Sequence, residues 1–135
     1  MSEMQAEIVN VEFPGGKRVD ARIGKFLIET DQSIEHGGDA AAPEPFDLFL
    51  ASIANCAGIF ALSFCQKREL STAGLALQLA CERDPAKKMI TRMTLELKLP
   101  EGFPEKYRGG IQRAMDLCTV KKHMFDPPEF DIQLR

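Results

Sequence analysis

The chain has 135 residues, 44% of them apolar and 27% charged, with a formal net charge of -3 and a pI near 5.4. That length suits a single domain over residues 1–135, and the composition is that of a folded protein rather than a disordered one. Lysines and arginines are scattered without a basic patch to neutralise phosphates, which excludes nucleic acid as an expected partner.

The opening run from Met1 to Glu7 carries acids and has neither the basic start nor the apolar stretch of an export signal, so a cytoplasmic protein is expected. Four cysteines stand at 56, 65, 81 and 118, too far apart for paired metal knuckles. In a reducing compartment they are expected as free thiols. Gly15-Gly16-Lys17-Arg18 is too short for a phosphate-binding loop and has no Ser or Thr after its lysine. Neither a metal nor a nucleotide cofactor is expected.

Along the chain, Val9, Val11 and Phe13 alternate before a Pro14-Gly15-Gly16 turn, and Val19, Ala21 and Ile23 alternate before Gly24-Lys25. With Phe26–Thr30 they predict a three-stranded antiparallel meander. Asp31 to Pro43, with paired glycines and three alanines, reads as an irregular loop. Pro45 suits a first helical position and Asp47 its first turn, predicting a helix of about six turns to roughly Glu69.

Within this helix, Leu48 to Phe64 carries no charge, but Ser52, Asn55 and Ser63 and its modest length argue for a buried helix rather than a membrane span. Phe49, Ile53, Cys56, Ile59 and Phe60 are assigned to one face. Ala51, Ala54, Gly58, Ala61 and Cys65 are assigned to another, on which small side chains allow close approach.

Leu75, Leu77, Leu79 and Cys81 alternate with polar residues, as do Met93, Leu95, Leu97 and Leu99 after an Asp84-Pro85 turn; the pair predicts a β-hairpin. Pro104 opens a second helix carrying Tyr107, Ile111, Ala114, Met115 and Cys118. Pro127-Pro128 stops it, leaving Phe130, Ile132 and Leu134 as a final strand.

Spacing alone leaves each cysteine two readings. Cys56 lies mid-helix with no cation on its own segment and fits a small core residue as well as a reactive thiol. Cys118 precedes Lys121-Lys122, whose ammonium groups would favour a thiolate, yet it also fits core packing. Cys65 and Cys81 are read as structural. His36 and His123 are candidate bases for a cysteine, with exposed surface histidines as the alternative.

The segment Pro45-Phe46-Asp47-Leu48-Phe49-Leu50-Ala51-Ser52-Ile53-Ala54-Asn55-Cys56 resembles a motif of the OsmC and organic hydroperoxide resistance family, in which an acidic residue opens a central helix bearing the first reactive cysteine. Cys118-Thr119-Val120-Lys121-Lys122 is similar to the second motif, a cysteine with valine two positions on. The resemblance implies an α+β fold, OsmC-like, with antiparallel sheets around a long central helix in an intertwined homodimer.

It further implies a thiol-dependent peroxidase acting in oxidative-stress defence, with a hydroperoxide as substrate and an external thiol as reductant. Cys56 would become the sulfenate and Cys118 would resolve it as a disulfide. Arg18 or Arg22, with Asp47 or Glu44, would complete the site; Arg18 and Asp47 are preferred. Phe46, Phe49, Ile53 and Phe60 would wall a pocket for organic peroxides. The alternative is a non-catalytic dimer of the same fold that binds a small molecule or senses oxidation.

Overall fold

The computed structural model describes residues 7–135, so most of the opening run weighed as an export signal lies outside the described residues. The chain divides into two compact units, one running to Phe49 and the other Leu50–Arg135.

The first unit holds the expected meander, β1 (Val9–Gly15), β2 (Arg18–Ile23) and β3 (Phe26–Thr30), antiparallel in the order β1-β2-β3. Val11 faces Ala21 across one ladder and Ala21 faces Ile28 across the other. Gly16 and Gly24 turn the chain at φ +58° and +57°, a region most side chains avoid. The sheet buries little of its apolar surface: Val9, Val11, Phe13, Ile23, Phe26, Leu27 and Ile28 are all exposed.

What this unit buries is polar. Asp31 is 1% exposed, and its carboxylate accepts hydrogen bonds from the amides of Gln32 (2.8 Å), Ala41 (3.0 Å) and Asp39 (3.3 Å). The Ala41 and Gln32 amides lead in holding its pKa below the usual carboxylate value. Gly38 lets the loop close, because a Cβ there would lie 2.2 Å from the Gln32 carbonyl oxygen. Residues 31–43, read from sequence as irregular, are therefore tied together by one buried carboxylate.

Helix α1 (Pro45–Lys67) begins where Pro45 and Asp47 place it. The Asp47 carboxylate accepts from the Glu44 amide at 3.0 Å, closing the first turn in the manner of a capping box. Its buried residues are Ile53, Ala57, Ala61, Phe64 and Cys65. This single stripe at spacings of three and four corrects the two faces assigned from sequence: Ile59 and Ala51 are exposed, one from each assigned face.

In the second unit, β4 (Ala76–Asp84) and β5 (Met89–Lys98) form the expected antiparallel hairpin. Leu77 pairs with Leu97, Leu79 with Leu95 and Cys81 with Met93 on the inward face. A 3₁₀ turn (Glu105–Tyr107) leads into α2 (Arg108–Met115). Ile111 and Met115 of α2 close on Ala57, Ala61, Phe64 and Cys65 of α1, with Leu77, Leu95, Leu97 and Leu99 packed against them. Ala57 and Ala61, both fully buried, keep the helix thin enough for these neighbours to approach.

Two sequence expectations fail at the C-terminal end. The second helix does not run through Cys118: it stops at Met115, and a separate helix α3 (Thr119–Phe125) starts immediately after the cysteine. Asp116 lies in this break and accepts from Lys121 Nζ at 2.8 Å, across the junction. Residues 127–135 form no strand, and Phe130, Ile132 and Leu134 are 88–96% exposed. Alternation marks a segment able to join a sheet, but a strand needs an edge to pair with, and these residues meet none within the described chain.

Candidate functional site

Cys56 and Cys118 come together in the second unit. Cys56 is half-buried on α1, while Cys118 is 1% exposed at the residue that introduces α3. Cys118 makes no side-chain capping bond to α3, although the first-turn N–H groups of any helix need partners from outside it. The groups that act on the Cys56 thiol come from this junction: the Val120 and Thr119 amides, the Thr119 hydroxyl and the Cys118 thiol.

These contacts divide the charge unequally. Burial pushes the Cys56 thiol up, but the Val120 amide, the Cys118 thiol and both donors of Thr119 outweigh it, leaving Cys56 below the ordinary cysteine value. Burial likewise pushes Cys118 up. The Lys121 and Val120 amides pull the other way, but the adjacent Cys56 sulfur raises it further, and Cys118 stays above the ordinary value. Of the two thiols, Cys56 is therefore the one shifted toward the thiolate, and Cys118 the one shifted toward the protonated form.

This corrects the local reading of Cys118. The lysines that follow it do not make it the thiolate, because Lys121 Nζ is engaged by Asp116 and charge on Cys56 disfavours a second charge alongside. The donors that sequence reasoning missed are Thr119 and Val120. The available signal was a threonine directly after a cysteine at a helix start, masked by reading Cys118 as part of the preceding helix.

The other candidates lie as follows. Arg18, on β2, points its guanidinium at Glu29 (3.7 Å) and Asp20 (3.9 Å), while Arg22 pairs with Glu12. Arg18 Nε and Asp20 Oδ1 are buried without hydrogen-bond partners among the described residues. Asp47 is occupied at the start of α1, and Glu44 bonds His36 Nδ1 at 2.7 Å. His123 Nδ1 donates to the Thr119 carbonyl at 2.8 Å. Cys65 is fully buried in the core and pushed up by that burial, as befits a packing residue. Ile53, expected to wall a pocket, is buried instead. A cavity of about 370 Å³ between β5 and α2, lined by Leu95, Leu97, Arg108 and Ile111 among others, contains no thiol.

A protein-family model described as OsmC-like protein matches residues 37–133, a span that includes both cysteines and most of the chain. The chain belongs to the OsmC-like family. Solved structures of similar fold include a protein of Psychrobacter arcticus 273-4 called an osmotic stress induced and detoxification response protein, with a TM-score of 0.73 at 18% identity over 90% of this chain and 89% of that one. An OsmC-like protein of Mycoplasma pneumoniae gives 0.70 at 14% identity, covering 91% and 89%. One from Legionella pneumophila, called an organic hydroperoxide resistance protein OsmC, gives 0.55 at 16% identity, covering 91% of each. No curated protein matches the sequence. At these identities the structures establish the OsmC-like fold of antiparallel sheets and a long helix, and the chemistry rests on the cysteine pair.

Proposed function

We propose that this OsmC-like protein is a thiol-dependent peroxidase that reduces organic hydroperoxides through Cys56 and Cys118. The observation that carries the reading is that Cys56 and Cys118 act on each other in opposite senses, Cys56 being lowered and Cys118 raised. In the first step the Cys56 thiolate attacks one peroxide oxygen and the O–O bond breaks. Sulfur is oxidised to sulfenic acid, and the peroxide leaves as an alcohol after taking up a proton. Cys118 then attacks the sulfenic sulfur, releasing water and forming a disulfide. An external dithiol returns both cysteines to thiols and is itself oxidised to a disulfide. The net change is one hydroperoxide and two reductant thiols to one alcohol, one water and one reductant disulfide.

A non-catalytic binding role would call for neither a lowered Cys56 thiol nor a second thiol acting on it. A cytoplasmic setting, where thiols are kept reduced, suits the cycle.

The working form is proposed to be a homodimer. Only 28% of the most apolar 18-residue stretch of α1 is buried within one chain, and the β1–β3 sheet leaves seven large apolar side chains exposed. A second copy would cover such surface. Light scattering is expected to give twice the 15.0 kDa chain mass at micromolar concentration; a clean monomer contradicts the dimer. Purified protein with dithiothreitol is expected to consume cumene hydroperoxide catalytically, and no turnover above the rate with dithiothreitol alone overturns the enzyme reading.

A further inference from the structure

The loop from Asp31 to Glu44 is closed at three places. Its ends meet where the Asp31 amide donates to the Pro43 carbonyl at 3.0 Å. Its interior is gathered by the Asp31 carboxylate, which takes the Gln32, Asp39 and Ala41 amides. Its outer turn is fastened by a side-chain pair, His36 Nδ1 against Glu44 Oε2 at 2.7 Å. The backbone does not hold this shape unaided. Ala40 sits at φ +53°, in the left-handed region that residues other than glycine avoid, so contacts elsewhere in the loop must offset its cost.

The outer pair joins two segments that are each anchored separately. His36 lies in a tight turn: its amide donates to the Ser33 carbonyl (3.0 Å), the Gly37 amide to the Ile34 carbonyl (3.1 Å) and the Gly38 amide to the Ser33 carbonyl (2.9 Å). Glu44 donates its amide to the Asp47 carboxylate in the first turn of α1, so its backbone is fixed to the helix while its side chain reaches the loop. The His36 and Glu44 side chains are 60% and 27% exposed, which leaves the pair open to protons from water. The other charges around it come from each neighbouring element. Glu35 precedes His36, and Asp47 stands at the start of α1. From the turn between β1 and β2, the Lys17 Cε lies 3.8 Å from where a Cβ on Gly37 would stand, and Asp39 Oδ2 lies 4.0 Å from the same point at Gly16.

We propose that His36 and Glu44 form a proton-operated latch, which closes the outer turn of the loop between β3 and α1 while His36 is protonated and loosens it when the proton leaves. An imidazolium carries a proton on Nδ1 at all times and adds a charge to the bond, whereas the neutral ring has one proton to place on either nitrogen and no charge. The hydrogen bond from Glu44 and then its negative charge raise His36 above the ordinary histidine value, with Glu35 adding to the rise and burial opposing it. Closure is therefore complete below the ordinary histidine value and is lost as the pH rises through the raised one. The Asp31 hub has the opposite sign. Its carboxyl is held below the usual carboxylate value, and its grip is lost only as the pH falls through that lowered value. Near neutral pH the latch moves and the hub does not. The latch does not rest on the peroxidase reading.

The experiment follows amide hydrogen exchange by NMR in the reduced full-length protein from about pH 5.5 to 8.5 at low salt, each rate being divided by the intrinsic rate at that pH. An ion pair this exposed makes the protection of the Gly37 and Gly38 amides fall roughly twofold to fivefold across the range. The Asp39 and Ala41 amides, held by Asp31, keep theirs. In His36→Ala and Glu44→Ala the Gly37 and Gly38 amides stay at the lower protection at every pH, and the His36 ring in Glu44→Ala titrates at a lower pH than in the parent. A flat parent profile overturns the latch, as does a fall that persists in Glu44→Ala. A His36 midpoint unmoved by Glu44→Ala overturns it as well. So does a fall shared equally by the Asp39 and Ala41 amides, since the whole loop would then be melting without regard to the pair.

Discussion

Cys56→Ser is expected to lower peroxide consumption by several orders of magnitude, to the rate of the reductant alone, and to abolish sulfenate formation. A serine hydroxyl in the same donors' reach is neither ionised at neutral pH nor oxidisable by a peroxide, so no part of the first step survives. Cys118→Ser is expected to behave differently. It leaves the amides of Thr119 and Val120 and the Thr119 hydroxyl on Cys56, so the first oxidation proceeds and a sulfenic acid on Cys56 accumulates, trappable with dimedone in a single turnover. The asymmetry carries the weight, because two cysteines of merely structural use would give matched effects. Sulfenate appearing on Cys118 at the parental rate in Cys56→Ser would reverse the two roles.

The largest expected effect on stability is at Phe64. Its ring is 6% exposed, meets Tyr107 edge-on at a centroid distance of 6.0 Å and carries the Arg68 guanidinium 3.6 Å above its face. It also fills the space beside Gly110, where an added Cβ would come within 2.9 Å of it. Phe64 thereby fastens α1 to α2 at one point. Phe64→Ala should cost about 3–5 kcal/mol through lost burial and the cavity left behind, against a total of roughly 5–15 kcal/mol for a typical domain. Urea denaturation of the reduced protein checks this. A loss under about 1 kcal/mol would mean that the α1–α2 contact is not a main support of the second unit.

Much of the fold was legible because local signals and tertiary structure agree. Pro45 and Asp47 mark the start of α1, and strict alternation from Leu77 to Cys81 and from Met93 to Leu97 marks the hairpin. The face of α1 was not legible for a physical reason: nearly every residue from Leu48 to Cys65 is apolar or small, so hydrophobicity cannot tell buried Ala57 and Ala61 from exposed Ala51. Only the neighbours, Ile111 and Met115 of α2 and the leucines of the hairpin, choose the stripe.

The candidate site was half legible. Two cysteines in resembling motifs pointed to each other, but the means of activation did not follow from either segment. A cation was sought for Cys56, and lysines stood conspicuously beside Cys118. What lowers Cys56 is the short-range set of donors from Thr119, Val120 and Cys118, which exists only because the chain breaks at Asp116–Cys118 and restarts as α3. Uncharged donors of this kind leave no mark in composition. The Phe130, Ile132 and Leu134 alternation shows the opposite failure, a clear local pattern with no partner edge within the described chain.

Peptide mapping after oxidation tests the redox pair most directly. The reduced protein is treated with one equivalent of cumene hydroperoxide, free thiols are blocked, and the digest is analysed by mass spectrometry without reduction. The predicted result is a linked pair of peptides containing Cys56 and Cys118, with Cys65 and Cys81 recovered in blocked form. Oxidation spread evenly over the four cysteines, or a Cys56 that stays free while another thiol is consumed, would contradict it.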